Sequence, residues 1–379
     1  MADTSVMGKW YIRPGARHFR TKSAPMGISD FHLRAPGYQQ SALRECPELA
    51  QELGVGRVYV KEEASRFGLP SFKMVGASWA VYRILADRTQ DPEREWTFQE
   101  LADQFSDSGL TLICATDGNH GRAVAHMAKL FGLKAHVFVP AQIGKRAKEG
   151  ILSEGAELTE IDAAYDHVVP VAAEAAAADE NAIMVQDTAW EGYHQIPGWI
   201  VEGYATIFRE IDAQLAEAGV VGPHVVVTPC GVGSLIHAAV AHYRGRDRSS
   251  KATHPSLLSV EPVDAPCLLE SLKADRPIAV ATGITRMAGL NCGTVSVIAW
   301  PVLRGGIDAA VSVTEDEDEK AVLDLQALGI DSGPCGAASL AGLRVALADP
   351  ALRTGMGATA QSVIVLLSTE SREANPLHQ

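Results

Sequence analysis

A lysine, an amide and a glycine turn, far apart in this sequence, together offer one coherent chemistry. The lysine is Lys73, in Ser71-Phe72-Lys73-Met74-Val75-Gly76-Ala77-Ser78-Trp79-Ala80. Ahead of it, Val58-Tyr59-Val60 predicts a buried strand and Gly68-Leu69-Pro70 a turn, and the recurrence of Trp79, Val81 and Leu85 predicts a helix from Gly76 onward. Lys73 is therefore expected at a strand-to-helix junction. Its apolar neighbours Phe72, Met74 and Val75 predict a partly desolvated amine, and desolvation favours the neutral form that condenses with a carbonyl. A surface lysine beside a helix start would have the same local sequence, so the assignment needs further residues.

Two other stretches supply them. Ala115-Thr116-Asp117-Gly118-Asn119-His120-Gly121-Arg122 follows a strand ending at Cys114 and opens a helix carrying Val124, Met127 and Leu130. Free N–H groups at such a helix start can bind a carboxylate, and the Asn119 amide can donate to a phenolic oxygen. The same residues would also serve as a plain N-cap and turn. Val225-Val226-Val227-Thr228-Pro229-Cys230-Gly231-Val232-Gly233-Ser234-Leu235 reads as a buried strand turning through glycines into a helix, which is a cradle for an anion. A nucleotide fits it poorly: there is no G-K-[ST], and Ile236 stands where G-x-G-x-x-G needs its third glycine. An amine for an imine, an amide for a phenolate, a cradle for a phosphate and a hydroxyl, Ser368 or Thr369, at the end of the apolar strand Val363 to Leu367 are the complements of pyridoxal 5'-phosphate.

The elements that must position these groups alternate. Strand-like runs at Leu110 to Cys114, Ala135 to Val139, Ala182 to Val185 and His224 to Thr228 are separated by helical ones at Gly121 to Phe131, Ile200 to Leu215 and Leu235 to Tyr243. That is the pattern of a parallel α/β protein. The Ala-rich run Val171 to Ala178 is expected to be a crossover helix, and the acidic run Glu315 to Glu319 the solvated first turn of another, without catalytic weight.

Composition limits the partners. With 379 residues, 47% of them hydrophobic, the chain can build two domains. A net charge of -13 argues against nucleic acid and anionic membranes and leaves a small-molecule substrate. No signal peptide is evident in Met1 to Pro14 and no apolar run nears the ~18 residues of a membrane span, so a cytoplasmic protein is expected. The six cysteines lack metal-ligand spacing; no metal is expected, and Cys267 and Cys292 are read as buried or loop thiols.

The order of these stretches resembles the fold type II family of pyridoxal-phosphate enzymes: lysine first, an S-x-G-N-H type loop second, a glycine phosphate loop third, a Ser, Thr or Cys facing the pyridine nitrogen last. The resemblance implies two open twisted sheets flanked by helices, in a large cofactor-binding domain (1–78 and 190–379) and a smaller mobile domain (79–189) that carries the Asp117-Gly118-Asn119-His120 loop. Within the family the wording is most similar to the diaminopropionate ammonia-lyases, from about Phe31 to the C-terminus. Ala115 to His120, Gln186-Asp187-Thr188-Ala189-Trp190-Glu191-Gly192-Tyr193 and Met287-Ala288-Gly289-Leu290 with Cys292-Gly293 carry it. Departures are Ser41-Ala42-Leu43 for T-P-L, Cys230 for a Gly or Ala, and Ser332-Gly333-Pro334-Cys335 for S-G-E-S or S-G-A, the last of which bears on the substrate pocket.

The resemblance implies α,β-elimination of 2,3-diaminopropionate to pyruvate and ammonia by a homodimer. Lys73 would hold the cofactor and act as a base, Asn119, Cys230, Gly231, Val232, Gly233, Ser234, Ser368 and Thr369 would bind the cofactor, and Thr116, Asp117, Gly118 and His120 would face the substrate. A neutral hydroxyl at the ring nitrogen would favour elimination over transamination. Asp117 points to the leaving group. Beside a bound carboxylate it would be repulsive, on the order of 1 kcal/mol or more, unless a cation such as a β-ammonium lay between them. It could also take a Cα proton from the face opposite Lys73. His120 and Tyr165 are expected to be mainly structural. The alternatives are a serine or threonine dehydratase of the same fold and a catalytically inactive cofactor-binding homologue.

Overall fold

The computed structural model describes residues 9–245 and 254–377. Its strands are β1 (Trp10–Ile12), β2 (Leu43–Glu45), β3 (Arg57–Glu62), β4 (Thr111–Ala115), β5 (Lys134–Pro140), β6 (Glu157–Ile161), β7 (Ala182–Met184), β8 (Val225–Pro229), β9 (Ser256–Pro262), β10 (Ala309–Val313) and β11 (Val363–Ser368). They form a seven-stranded sheet in the order β1-β10-β9-β8-β11-β3-β2 and a four-stranded sheet in the order β6-β5-β4-β7. All pairings in the smaller sheet are parallel. In the larger one only the short edge strands β1 and β2 run antiparallel. The α/β, two-sheet expectation therefore holds.

Strands β8 and β11 are buried at every position. Helices cover both faces of a parallel sheet, so neither row of side chains meets water, and the strands read as continuous apolar runs with no alternation. The acidic run begins the Glu315–Ala327 helix, where Thr314 and Glu317 form a reciprocal cap. That turn is less solvated than expected. Asp318 is buried, and Glu315 accepts from the Arg286 backbone N–H at 3.0 Å.

Two features bring Lys73 into place. The first is a buried ionic knot under the Arg66–Leu69 turn. Lys61 Nζ lies 2.6 Å from Glu210 Oε2, Arg66 Nη2 lies 2.6 Å from the same oxygen, and Arg66 Nε lies 2.9 Å from Glu63 Oε2. Two cations thus meet two carboxylates out of water, and removal of one partner would strand a buried charge. The second is a close helix crossing. The helix starts at Lys73 itself, three residues earlier than its periodicity suggests, and runs to Ala86. It packs on the Gln195–Glu217 helix at Gly76 and Gly203, where a Cβ on Gly76 would lie 2.5 Å from the Tyr204 ring and one on Gly203 would lie 2.6 Å from the Val75 carbonyl oxygen. Only hydrogen fits at either position.

Among the described residues no helix is long and apolar enough to cross a membrane. All six cysteines are buried, unpaired thiols, Cys267 and Cys292 included.

Candidate active site

Ligands of open parallel sheets bind beyond the carboxyl ends of the strands. Here the segments following β3, β8 and β11 of one sheet and β4 and β7 of the other line a single cavity of about 1280 Å³. Lys73, Thr116 to His120, Cys230 to Ser234 and Thr369 all border it. Stretches up to some three hundred residues apart in the chain thus meet around one space.

Lys73 does not stand there as a free neutral amine. Its ammonium is ion-paired with the carboxylate of Asp187, which follows β7. Burial alone would push the Lys73 pKa down, as its apolar neighbours suggest, but the field of Asp187, with lesser help from Tyr204 and Cys292, outweighs it and holds the amine above its ordinary range. Burial likewise opposes ionisation of Asp187, and Lys73 overrides it to leave that carboxyl at about 2. The amine must therefore lose a proton to this environment before it can condense with a carbonyl.

The Thr116–His120 loop is shaped by its own side chains. Thr116 Oγ1 accepts the Gly118 N–H at 2.9 Å and the Gly121 N–H at 3.1 Å, and Gly118 takes a φ of 139° that suits glycine. Gln186 ties the ends of β4 and β7 together: its Oε1 accepts the Ala115 N–H at 2.9 Å and its Nε2 donates to the Ala115 carbonyl at 3.1 Å and to Tyr165 Oη at 2.9 Å. Asp117 sits partly exposed on the cavity wall. Burial first and the nearby Asp187 charge second push its carboxyl up to about 8, against the pull of Lys73. Asn119 Nδ2 donates to Glu370 Oε2 at 2.5 Å, which leaves its second N–H for a ligand. Glu370 is itself buried and also accepts from the Cys335 N–H at 3.1 Å and from Asn375 Nδ2 at 3.1 Å.

The glycine turn fits a phosphate. A Cβ at Gly231 would press to 2.8 Å from the Gly289 carbonyl oxygen and 3.1 Å from Cys292 Sγ, and Gly233 has a φ of 97°. The turn is thus open backbone leading into the Ser234–Tyr243 helix, whose first N–H groups have no intrahelical acceptor. Ser234 is less free than its sequence suggests, since its Oγ donates to the Asp187 carbonyl at 2.6 Å. Of the two candidate hydroxyls after β11, Ser368 is fully buried and donates to Ser332 Oγ at 2.8 Å, whereas Thr369 borders the cavity. A lysine, a phosphate cradle, an amide and a threonine hydroxyl around one space form a donor set suited to pyridoxal phosphate.

Sequence reasoning missed Asp187, Glu370 and Tyr204 as site residues. Asp187 lies in the distinctive Asp187-Thr188-Ala189-Trp190 run, a signal that marked the stretch without assigning its carboxylate.

The chain belongs to the pyridoxal-phosphate-dependent enzymes: residues 35–369 match the family described as "Pyridoxal-phosphate dependent enzyme". Its relatives narrow the class. It is 36% identical over 293 residues to the diaminopropionate ammonia-lyase of Salmonella typhimurium, covering 75% of this chain and 71% of that one. It is 33% identical over 352 residues to the Escherichia coli enzyme of the same name, covering 90% and 86%. A solved structure of the Escherichia coli diaminopropionate ammonia lyase, in complex with an aminoacrylate-PLP azomethine reaction intermediate, superposes with a TM-score of 0.81 at 30% identity, covering 96% of this chain and 94% of that one.

Proposed function

We propose that this protein eliminates ammonia from 2,3-diaminopropionate, yielding pyruvate and ammonia. The observation that carries the reading is the convergence of Lys73, Asp117 and Asp187 on one cavity beside the glycine turn. Pyridoxal phosphate, bound through Lys73, supplies the electron sink that makes a substrate Cα proton removable. The turn Cys230 to Ser234 would hold its phosphate, Asn119 its phenolic oxygen and Thr369 its ring nitrogen. N–H groups of the Thr116 to His120 loop would hold the substrate carboxylate.

With Lys73 holding the cofactor, Asp187 would no longer have the lysine ammonium as its partner. The Asp187 carboxylate and the Asp117 carboxyl, which burial keeps largely protonated at neutral pH, would then border the substrate space, and the ionised Asp187 would call for a cation there. A β-ammonium supplies one; a β-hydroxyl does not. Lys73 and Asp117 are assigned as the bases that accept the Cα proton from opposite faces, which accommodates D and L substrates. The family resemblance supports a cytoplasmic homodimer with a mobile small domain at 79–189.

Ammonia release from DL-2,3-diaminopropionate and from L-serine, compared for wild type and Asp117→Ser, tests the reading. Wild type is expected to favour the diamine, and Asp117→Ser to lower that preference by about tenfold or more, the effect of losing one hydrogen bond to a charged group. A wild type that prefers serine is a serine dehydratase, and one that releases ammonia from neither is a cofactor-binding homologue without turnover.

A further inference from the structure

His120 is the second residue of the helix that opens at Asn119, with its ring 3% exposed. Its Nε2 lies 2.7 Å from the Val185 carbonyl oxygen. A carbonyl can only accept, so the ring proton resides on Nε2 and Nδ1 is left as a bare lone pair. That Nδ1 is buried and has no hydrogen-bond partner among the described residues. Asp187 Oδ2, also only an acceptor, lies 3.9 Å from it. Two buried acceptors thus face each other in the wall of the cavity: His120 Nδ1 has no donor, and Asp187 Oδ2 has the Lys73 ammonium, which the proposed reaction commits to the cofactor.

We propose that His120 Nδ1 accepts a hydrogen bond from the β-ammonium of the bound diamino acid and so helps select an amine as the leaving group. The assignment rests on the diaminopropionate reading above and gives a specific role to a residue that the sequence placed facing the substrate and read as mainly structural. An ammonium carries three donors, and the cavity offers three acceptors for it: Asp117, Asp187 and His120 Nδ1. A β-hydroxyl has one proton and cannot serve Asp187 and His120 together. Burial disfavours the imidazolium here, consistent with a ring that accepts at Nδ1 and does not add a competing positive charge.

Two substitutions separate anchoring from acceptance. His120→Gln can keep a donor for the Val185 carbonyl but has no acceptor where Nδ1 lies; His120→Asn can keep an acceptor there and loses the Val185 bond. For wild type and both variants, the ratio of kcat/KM for L-2,3-diaminopropionate to that for L-serine is measured. The ratio of apparent Kd values is read in parallel from the change in the cofactor's visible absorbance on rapid mixing with each amino acid. Each ratio is taken on one preparation, so a smaller active fraction cancels. His120→Gln is expected to lower the preference for the diamine by about tenfold or more in both ratios. His120→Asn is expected to stay within about threefold of wild type. An unchanged ratio in His120→Gln, or equal falls in both variants, overturns the assignment. A wild type inactive on the diamine ends the underlying reading instead, and an active wild type with an unchanged His120→Gln ratio ends only the role given to His120.

Discussion

At the scale of single residues, Asp117 has an environment that a solvent-exposed carboxyl lacks. Burial and the Asp187 charge hold its pKa at about 8, so in the cofactor-free protein it is largely protonated at neutral pH. An acid poised there can both accept and return a proton under ordinary conditions. The same environment has a stability consequence. Between the ordinary carboxylate range and about pH 8 the folded protein holds a proton that the unfolded chain has released, so stability falls as pH rises through that window. An amide in place of this carboxyl cannot ionise and escapes the loss. Cofactor-free Asp117→Asn is therefore expected to match wild type near pH 4 and to exceed it above pH 8. The gain is a few kcal/mol at most, since each pH unit between the unfolded and folded ionisation midpoints is worth about 1.4 kcal/mol. Melting curves of both proteins across pH 4 to 9 check it, and parallel curves would mean that Asp117 ionises freely in the fold.

At the scale of elements, the crossing of the Lys73–Ala86 and Gln195–Glu217 helices sets where the lysine points. A methyl at Gly203 would meet the Val75 backbone oxygen at 2.6 Å, and a main-chain atom cannot rotate away as a side chain can. Gly203→Ala is expected to part the helices, cost about 1–3 kcal/mol of stability and weaken cofactor retention after dialysis, because Lys73 sits one turn from the contact. A variant with wild-type melting temperature and retention would show that the crossing relaxes freely. The elements were largely legible from sequence because their signals are local. Val225 to Val227 and Val363 to Leu367 had to be buried strands, and Glu315 to Glu319 had to start a helix. The pairings across the site are not local. Nothing near Lys73 reveals that Asp187, 114 residues on, will hold it as an ammonium. Nothing near Ser368 shows that its hydroxyl is taken by Ser332, 36 residues earlier. The residue types were therefore readable, whereas their protonation states and free valences depended on the fold.

At the scale of the whole molecule, polar contacts bridge the two sheets across the cavity. Lys73 meets Asp187, Asn119 meets Glu370, Arg122 lies 3.4 Å from Glu373, and Asp166 accepts the Gly293 N–H at 3.0 Å. They are unequal. The Glu373 carboxylate is 69% exposed, so its pair contributes less than about 1 kcal/mol. The Asp187 side chain is 5% exposed, so its pair with Lys73 cannot be opened without stranding a charge. In cofactor-free protein, Lys73→Ala is expected to cost about 3 kcal/mol at pH 7, because Asp187 remains buried and ionised with its ammonium gone. Adding Asp187→Asn should recover most of that loss, since the pair is then removed whole. Without Lys73 the Asp187 pKa rises, so the single variant's deficit should shrink as pH falls toward 4 and the carboxyl takes up a proton. Chemical denaturation of the two single variants and the double variant at pH 7 and pH 4 measures the coupling. If the deficits simply add and do not change with pH, Lys73 and Asp187 do not clamp the sheets together, and the ammonium held there contributes to cofactor chemistry alone.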